Sequence, residues 1–166
     1  MAFLPFGCLF TGRNPGKIRF INDSKATNMV SASYGLSKVK QDSTTDDTKI
    51  YWLCGGQLKT NDPMEVLRPN SDSVAKAFAF GSGARQMEDF LKDESVSVEV
   101  FPSLTSAVKR AIDEAVEFVE SAENQKVIIL LSPGGASFDE FLNFEERGDI
   151  FKSVCDNFLK HERLSE

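Results

Sequence analysis

Gln125-Lys126-Val127-Ile128-Ile129-Leu130-Leu131-Ser132-Pro133-Gly134-Gly135 is the strongest structural signal in the chain. Five consecutive apolar side chains lie between a polar Gln-Lys pair and a turn of small residues, and they lack the alternation of a half-exposed strand. A strand of that kind is buried on both faces, so layers must cover the sheet on each side. Working towards the amino terminus, Ile50-Tyr51-Trp52-Leu53-Cys54 before Gly55-Gly56 repeats the pattern. Lys17-Ile18-Arg19-Phe20-Ile21, Ala75-Lys76-Ala77-Phe78-Ala79-Phe80 and the stretch Val96 to Phe101 supply three further strands. Helices are predicted from Ala26 to about Lys38 (with Gly35 as a weak point), from Ala84 to Lys92, from about Leu104 to Ser121, and from about Phe144 to Leu159. Asp62-Pro63 reads as a helix start with Asp as its cap, and Val39 to Lys49 reads as a solvated polar loop. Strands alternating with helices predict an α/β fold, with a mainly parallel sheet of five or six strands flanked by helices.

Composition narrows the function classes. The chain has 166 residues, 19 Lys and Arg against 25 Asp and Glu, and a formal net charge of −6. That length suits one domain, and the acidic balance argues against a nucleic-acid or anionic-membrane partner, because phosphate binding is driven by Lys and Arg. A single histidine, His161, leaves no basis for Ser-His-Asp catalysis or a His-rich metal site elsewhere in the chain. Cys8, Cys54 and Cys155 are odd in number and lack a CxxC pair, which favours a reducing compartment over a disulfide framework. Cys54 reads as a buried strand residue. Residues 1–16 are apolar at first but lack a basic region and are interrupted by Pro5 and Gly7; they read as an irregular leader or linker, with the folded domain at 17–166. A cytoplasmic protein is expected.

In sheets of this kind ligands bind outside the carboxyl ends of the strands. Three loops follow predicted strands there: Asn22 to Asn28, Gly55 to Asp62, and Ser132 to Phe144. The first is rich in helix-capping residues, and alone it could serve capping only. It also carries Lys25 beside a helix amino end, which favours an anion. The second joins paired glycines to Lys59 but lacks the GxxxxGK[ST] spacing of a phosphate-binding loop. The third offers Ser132, Ser137 and several backbone amides. Together they suggest a small, multiply negative ligand held by lysine charge, hydroxyls and N–H groups. The acidic Asp139, Glu140, Glu145 and Glu146 read as a solvated rim and as charges at a helix amino end.

Three segments in this order carry a resemblance: Ile21-Asn22-Asp23-Ser24-Lys25-Ala26-Thr27-Asn28; Gly55-Gly56-x-x-Lys59; and Leu131-Ser132-Pro133-x-x-Ala136-Ser137-Phe138-Asp139-x-Phe141-x-Asn143-Phe144-Glu145-x-Arg147-Gly148. From about Lys17 to the end, the chain resembles the carboxyl-terminal domain of the D-glutamate-adding muramyl ligases, the UDP-N-acetylmuramoyl-L-alanine:D-glutamate ligases of peptidoglycan precursor synthesis. The resemblance implies a Rossmann-like three-layer domain that works beside a UDP-sugar domain and a P-loop ATPase domain. In such enzymes ATP with Mg²⁺ converts the substrate carboxylate to an acyl phosphate, releasing ADP, and the amine of D-glutamate attacks it. By motif position, Thr27, Lys59, Ser137 and the backbone of Phe144 are implied to hold D-glutamate. Asp23 is implied to contact nucleotide, and Lys25 to lie near the reacting phosphates as the catalytic candidate. UDP-N-acetylmuramoyl-L-alanine would be met through the other domains. No metal ligand is assigned within the chain, and no cofactor is expected to be held by this domain alone. No GxxGK[ST]-type loop occurs in these residues, so the isolated chain is expected to be inactive as a ligase. A stand-alone, non-catalytic anion-binding or interaction domain is the alternative, and an unrelated α/β anion-binding enzyme a third reading.

Overall fold

The computed structural model describes residues 8–9, 17–43 and 47–164. The strands are β1 (Cys8–Leu9), β2 (Ile18–Asn22), β3 (Thr48–Gly55), β4 (Val74–Phe80), β5 (Val98–Phe101) and β6 (Lys126–Gly134). The helices are α1 (Met29–Asp42), α2 (Arg68–Ser71), α3 (Ala84–Asp93), α4 (Leu104–Ser121) and α5 (Phe144–Leu164), with a 3₁₀ turn at Met64–Leu67. The six strands form one sheet in the order β1-β2-β6-β3-β4-β5. All neighbours are parallel except β1, which pairs antiparallel with β2 through Cys8–Phe20 and Leu9–Arg19. The expected α/β, mainly parallel sheet is therefore what forms. The leader expected over residues 1–16 lies outside the described residues, apart from β1.

Alternation along each strand explains the three layers. From β6, Val127, Ile129 and Leu131 face α4 and α5, while Ile128 and Leu130 face the opposite layer of α1, the 3₁₀ turn and α3. β3 does the same with Tyr51 and Leu53 against Ile50, Trp52 and Cys54. Each completely buried Ile, Leu or Phe removes apolar surface worth about 1.5–3 kcal/mol from water, so both faces contribute. The two layers differ in bulk. Phe20 of β2 meets Phe151 of α5 edge-on at 6.4 Å between ring centroids, and Phe78 of β4 stacks near Phe101 at 6.0 Å. On the other face β4 presents Ala77 and Ala79, so α3 can pack closely. Cys54 is buried as expected, and burial pushes its thiol far above the usual range.

Three local expectations are corrected. α1 begins at Met29, where the Asn28 side chain accepts from the Ser31 N–H at 2.9 Å, and it runs on to Asp42. Val39 to Asp42 is therefore helical, because Val39 is buried against the core while its polar neighbours face water. Asp62 does not cap a helix through its side chain: its carboxylate accepts from the Lys59 N–H at 2.6 Å, and the segment beyond is the short 3₁₀ turn and α2. Finally, β6 extends past Leu131 to Gly134 and α5 past Leu159 to Leu164.

Candidate functional site

β2, β6 and β3 are consecutive in the sheet, so the loops leaving their carboxyl ends share one edge. The loop after β2 is anchored to β6 by the Asp23 N–H, which donates to the Leu131 carbonyl at 2.7 Å. Gly134 N–H returns a bond to the Ala26 carbonyl at 2.9 Å. The loop after β3 is joined to the loop after β6 by a two-bond antiparallel bridge between Gln57 and Ala136, at 2.8 and 2.9 Å. Gly55 and Gly56 take φ of +125° and +83°, and a Cβ at Gly55 would run into the Phe80 backbone. Only glycine accepts that close left-handed turn without strain.

Under the first loop lies a polar pair. Ser132 Oγ donates to the Asp23 carboxylate at 2.8 Å, and burial raises the Asp23 pKa, partly offset by this hydrogen bond. Gly35 of α1 is buried directly against the pair: a Cβ there would sit 2.7 Å from Ser132 Oγ and 2.8 Å from Asp23 Oδ2. The glycine that weakens α1 as a helix is thus the space into which this pair fits. On the other side the Trp52 indole N–H donates to the Ser132 carbonyl at 2.8 Å.

The buried Arg147 of α5 is shared by all three loops. Its Nε donates to Ser24 Oγ at 3.0 Å, its Nη2 to the Ser24 carbonyl at 2.7 Å, and its Nη1 to the Gly135 carbonyl at 2.9 Å. A Cβ at Gly56 would lie 3.0 Å from Nη1, so the β3 loop rests on the same group. Ser24 Oγ in turn donates to the Phe144 carbonyl at 2.7 Å, fastening the start of α5 to the first loop. Gly148 packs one residue further on, where Asn22 Nδ2 donates to its carbonyl at 3.1 Å. Burial lowers the Arg147 pKa to about 10, against the opposing influence of Asp139 and Glu140, and the guanidinium stays charged at neutral pH.

The expected site residues fall as follows. Asp23, Lys25 and Thr27 occupy the first loop, with Lys25 exposed and Thr27 half-buried. Lys59 is exposed in the second loop, two residues beyond the Gln57 bridge. Ser137 is 2 % exposed in the third. Its carbonyl accepts from Glu140 and Phe141 N–H. Phe144 begins α5, whose amino end is capped by Asn143 Oδ1 accepting from Glu146 N–H at 2.8 Å. The loops are brought together by backbone bonds and Arg147, while Lys25 and Lys59 are exposed on them. Asp139 and Glu140 are not merely a solvated rim. Asp139 accepts from the Ser82 N–H at 2.8 Å, and both Glu140 oxygens accept from the Leu104 N–H at 3.1 Å, tying the third loop to the turns after β4 and β5.

Arg147 stands within the third motif, where the sequence assigns it no role. The signal was present: Phe151, Cys155 and Leu159 form the buried stripe of α5, and one further step of four residues lands on Arg147.

The fold and the joined loops define an α/β domain whose sheet edge carries two exposed lysines, Lys25 and Lys59, and a buried serine, Ser137. No family model matches the chain. Among curated proteins it is 38 % identical over 141 residues to the UDP-N-acetylmuramoylalanine–D-glutamate ligase of Phenylobacterium zucineum, covering 84 % of the chain and 26 % of the relative. It is 35 % identical over 156 residues to that of Roseobacter denitrificans (94 % and 29 %) and 37 % identical over 138 residues to that of Mesorhizobium japonicum (83 % and 27 %). The chain thus spans under a third of the length of these relatives. Over most of its own length it is similar to the carboxyl-terminal portion of UDP-N-acetylmuramoylalanine–D-glutamate ligases.

Proposed function

We propose that this domain holds D-glutamate and contacts ATP in an enzyme that joins D-glutamate to UDP-N-acetylmuramoyl-L-alanine in peptidoglycan precursor synthesis. The observation that carries the reading is the fastening of the three strand-end loops into one edge; Lys25, Thr27, Lys59 and Ser137 stand on those loops. A dicarboxylate needs positive charge and several donors. Lys59 offers charge, Thr27 and Ser137 offer hydroxyls, and the first turn of α5 at Phe144 offers backbone N–H. In the proposed reaction the D-glutamate nitrogen forms a bond to the acyl carbon as the carbon–oxygen bond to phosphate breaks. The domain contributes position and not acid–base chemistry, since two clamped carboxylates leave the amine aimed at the neighbouring centre.

Lys25 would face the reacting phosphates and Asp23 the nucleotide. ATP, with Mg²⁺, would supply the phosphoryl group that activates the carboxylate, leaving ADP. Among the described residues no group of three or more His, Cys, Asp and Glu could hold a metal ion. UDP-N-acetylmuramoyl-L-alanine and the phosphate-binding loop would belong to other domains, and the isolated chain is expected to hydrolyse no ATP. The proposed compartment is the cytoplasm, in keeping with Cys54 and Cys155 standing outside any disulfide. Among the described residues no helix is long and apolar enough to cross a membrane.

Titration of the ¹⁵N-labelled chain with D-glutamate tests the assignment. Amide signals of Thr27, Lys59, Ser137 and Phe144 should move together, L-glutamate should move them much less, and Lys59→Ala should weaken the response at least tenfold. Equal responses to the two enantiomers, or shifts confined to other residues, would overturn the reading.

A further inference from the structure

Arg147 is the second-largest side chain among those wholly buried, after Trp52, and it is 0 % exposed. A buried guanidinium usually lies against a carboxylate, because removing an isolated charge from water is costly. Arg147 lies against none: its three hydrogen bonds go to two neutral carbonyls and one hydroxyl, and among the described residues it forms no ion pair. The nearest acidic groups that influence it, Asp139 and Glu140, are occupied in holding Ser82 and Leu104. The charge is therefore neutralised only in part, and it lies beneath the meeting point of Ser24, Gly56 and Gly135, one from each site loop.

We propose that Arg147 is a positioning residue of this edge, one that locks the three loops onto α5 and whose buried positive charge makes the edge select ligands with two carboxylates over those with one. The proposal deepens the reading above, on which it rests, by naming what sets the charge requirement of the site. Arg147 does not touch the ligand; it acts through the carbonyls and the hydroxyl it holds and through its field. That field is weakly screened because the group is out of water. Lysine at this position would keep the charge but lack the planar fork that reaches Ser24 and Gly135 together.

The probes are glutarate, with two carboxylates, and its monoamide glutaramate, with one, titrated into the wild-type chain, Arg147→Lys and Arg147→Gln, with affinities read from the Thr27, Lys59 and Ser137 amides. Wild type should favour glutarate at least tenfold. Arg147→Lys should bind both ligands several-fold more weakly with the preference kept, and Arg147→Gln should lose most of the preference. If Arg147→Gln does not fold, two other readouts decide. The wild-type Arg147 Nε–H signal should be slow to exchange and should shift more with glutarate than with glutaramate. Ser24→Ala should weaken both ligands equally. A wild-type preference retained in folded Arg147→Gln, equal shifts of the Nε–H signal, or no glutarate binding at these residues would overturn the proposal. A site that prefers glutarate but treats D- and L-glutamate alike would instead overturn the D-glutamate reading and leave the role of Arg147 standing.

Discussion

Replacing Gly35 by alanine sets two effects against each other inside one helix. In an unconstrained helix interior the change is favourable by about 0.5–1 kcal/mol, because glycine loses more backbone entropy. Here the new Cβ would lie 2.7 Å from Ser132 Oγ and 2.8 Å from Asp23 Oδ2, closer than van der Waals contact permits. Overpacking of this kind costs about 1–3 kcal/mol. Moving either group apart also weakens a hydrogen bond to a carboxylate, worth roughly 1.5–3 kcal/mol. The steric and polar losses exceed the helical gain, and Gly35→Ala should destabilise the chain by about 1–3 kcal/mol, lowering the melting temperature by roughly 3–10 °C. Urea unfolding followed by far-ultraviolet circular dichroism measures the difference. A double-mutant cycle with Ser132→Ala locates it: without Oγ the new methyl gains room, so Gly35→Ala should cost markedly less in that background. A Gly35→Ala chain as stable as wild type, or an unchanged cost beside Ser132→Ala, would refute the packing argument.

Two further changes probe the same corner of the fold. Asp23 has its folded pKa raised by burial, with the Ser132 hydrogen bond opposing, so its ionised form weakens the fold at neutral pH and the cost disappears as pH falls through the folded value. Asp23→Asn, which can still accept from Ser132, should therefore be more stable than wild type at pH 7 in urea titrations, with the advantage vanishing in acid. Trp52→Phe removes the buried bond from the indole N–H to the Ser132 carbonyl and should cost about 1–3 kcal/mol by the same assay, with little effect on the far-ultraviolet spectrum.

Sequence signals located what depends on burial, and missed what depends on a partner distant in the chain. β6 and β3 announce themselves because both faces are apolar, and α4 has the bounds its periodicity indicates. Val39 to Asp42 looked like loop because three polar residues follow one valine, yet one buried side chain per turn is enough once α1 lies on the sheet. Asp62 had the chemistry of a cap, but a nearer donor, the Lys59 N–H, took its carboxylate. Gly35 looked like a flaw in a helix, since its reason is Ser132, 97 positions away. For the site, the loops were legible from strand ends and glycines, whereas Arg147 was not: a charged residue in an amphipathic helix is ordinarily turned to water, and only the spacing of the buried stripe places it inward.

The position of β6 has a consequence for assembly. This strand is the last in the chain but stands in the middle of the sheet, and β2 and β3 touch each other only through it. Until residues 126–134 arrive, β2 and the loop bearing Asp23, Lys25 and Thr27 have no parallel neighbour to order them. Closing a sheet late, by inserting a strand between two that are already made, demands contacts far apart in sequence and slows folding. The proposed ligand-binding edge is accordingly a keystone arch: its stones are cut early in synthesis, but none of them bears weight until strand β6 and the arginine behind it drop into place. A chain that binds ligand has, by that fact, finished folding.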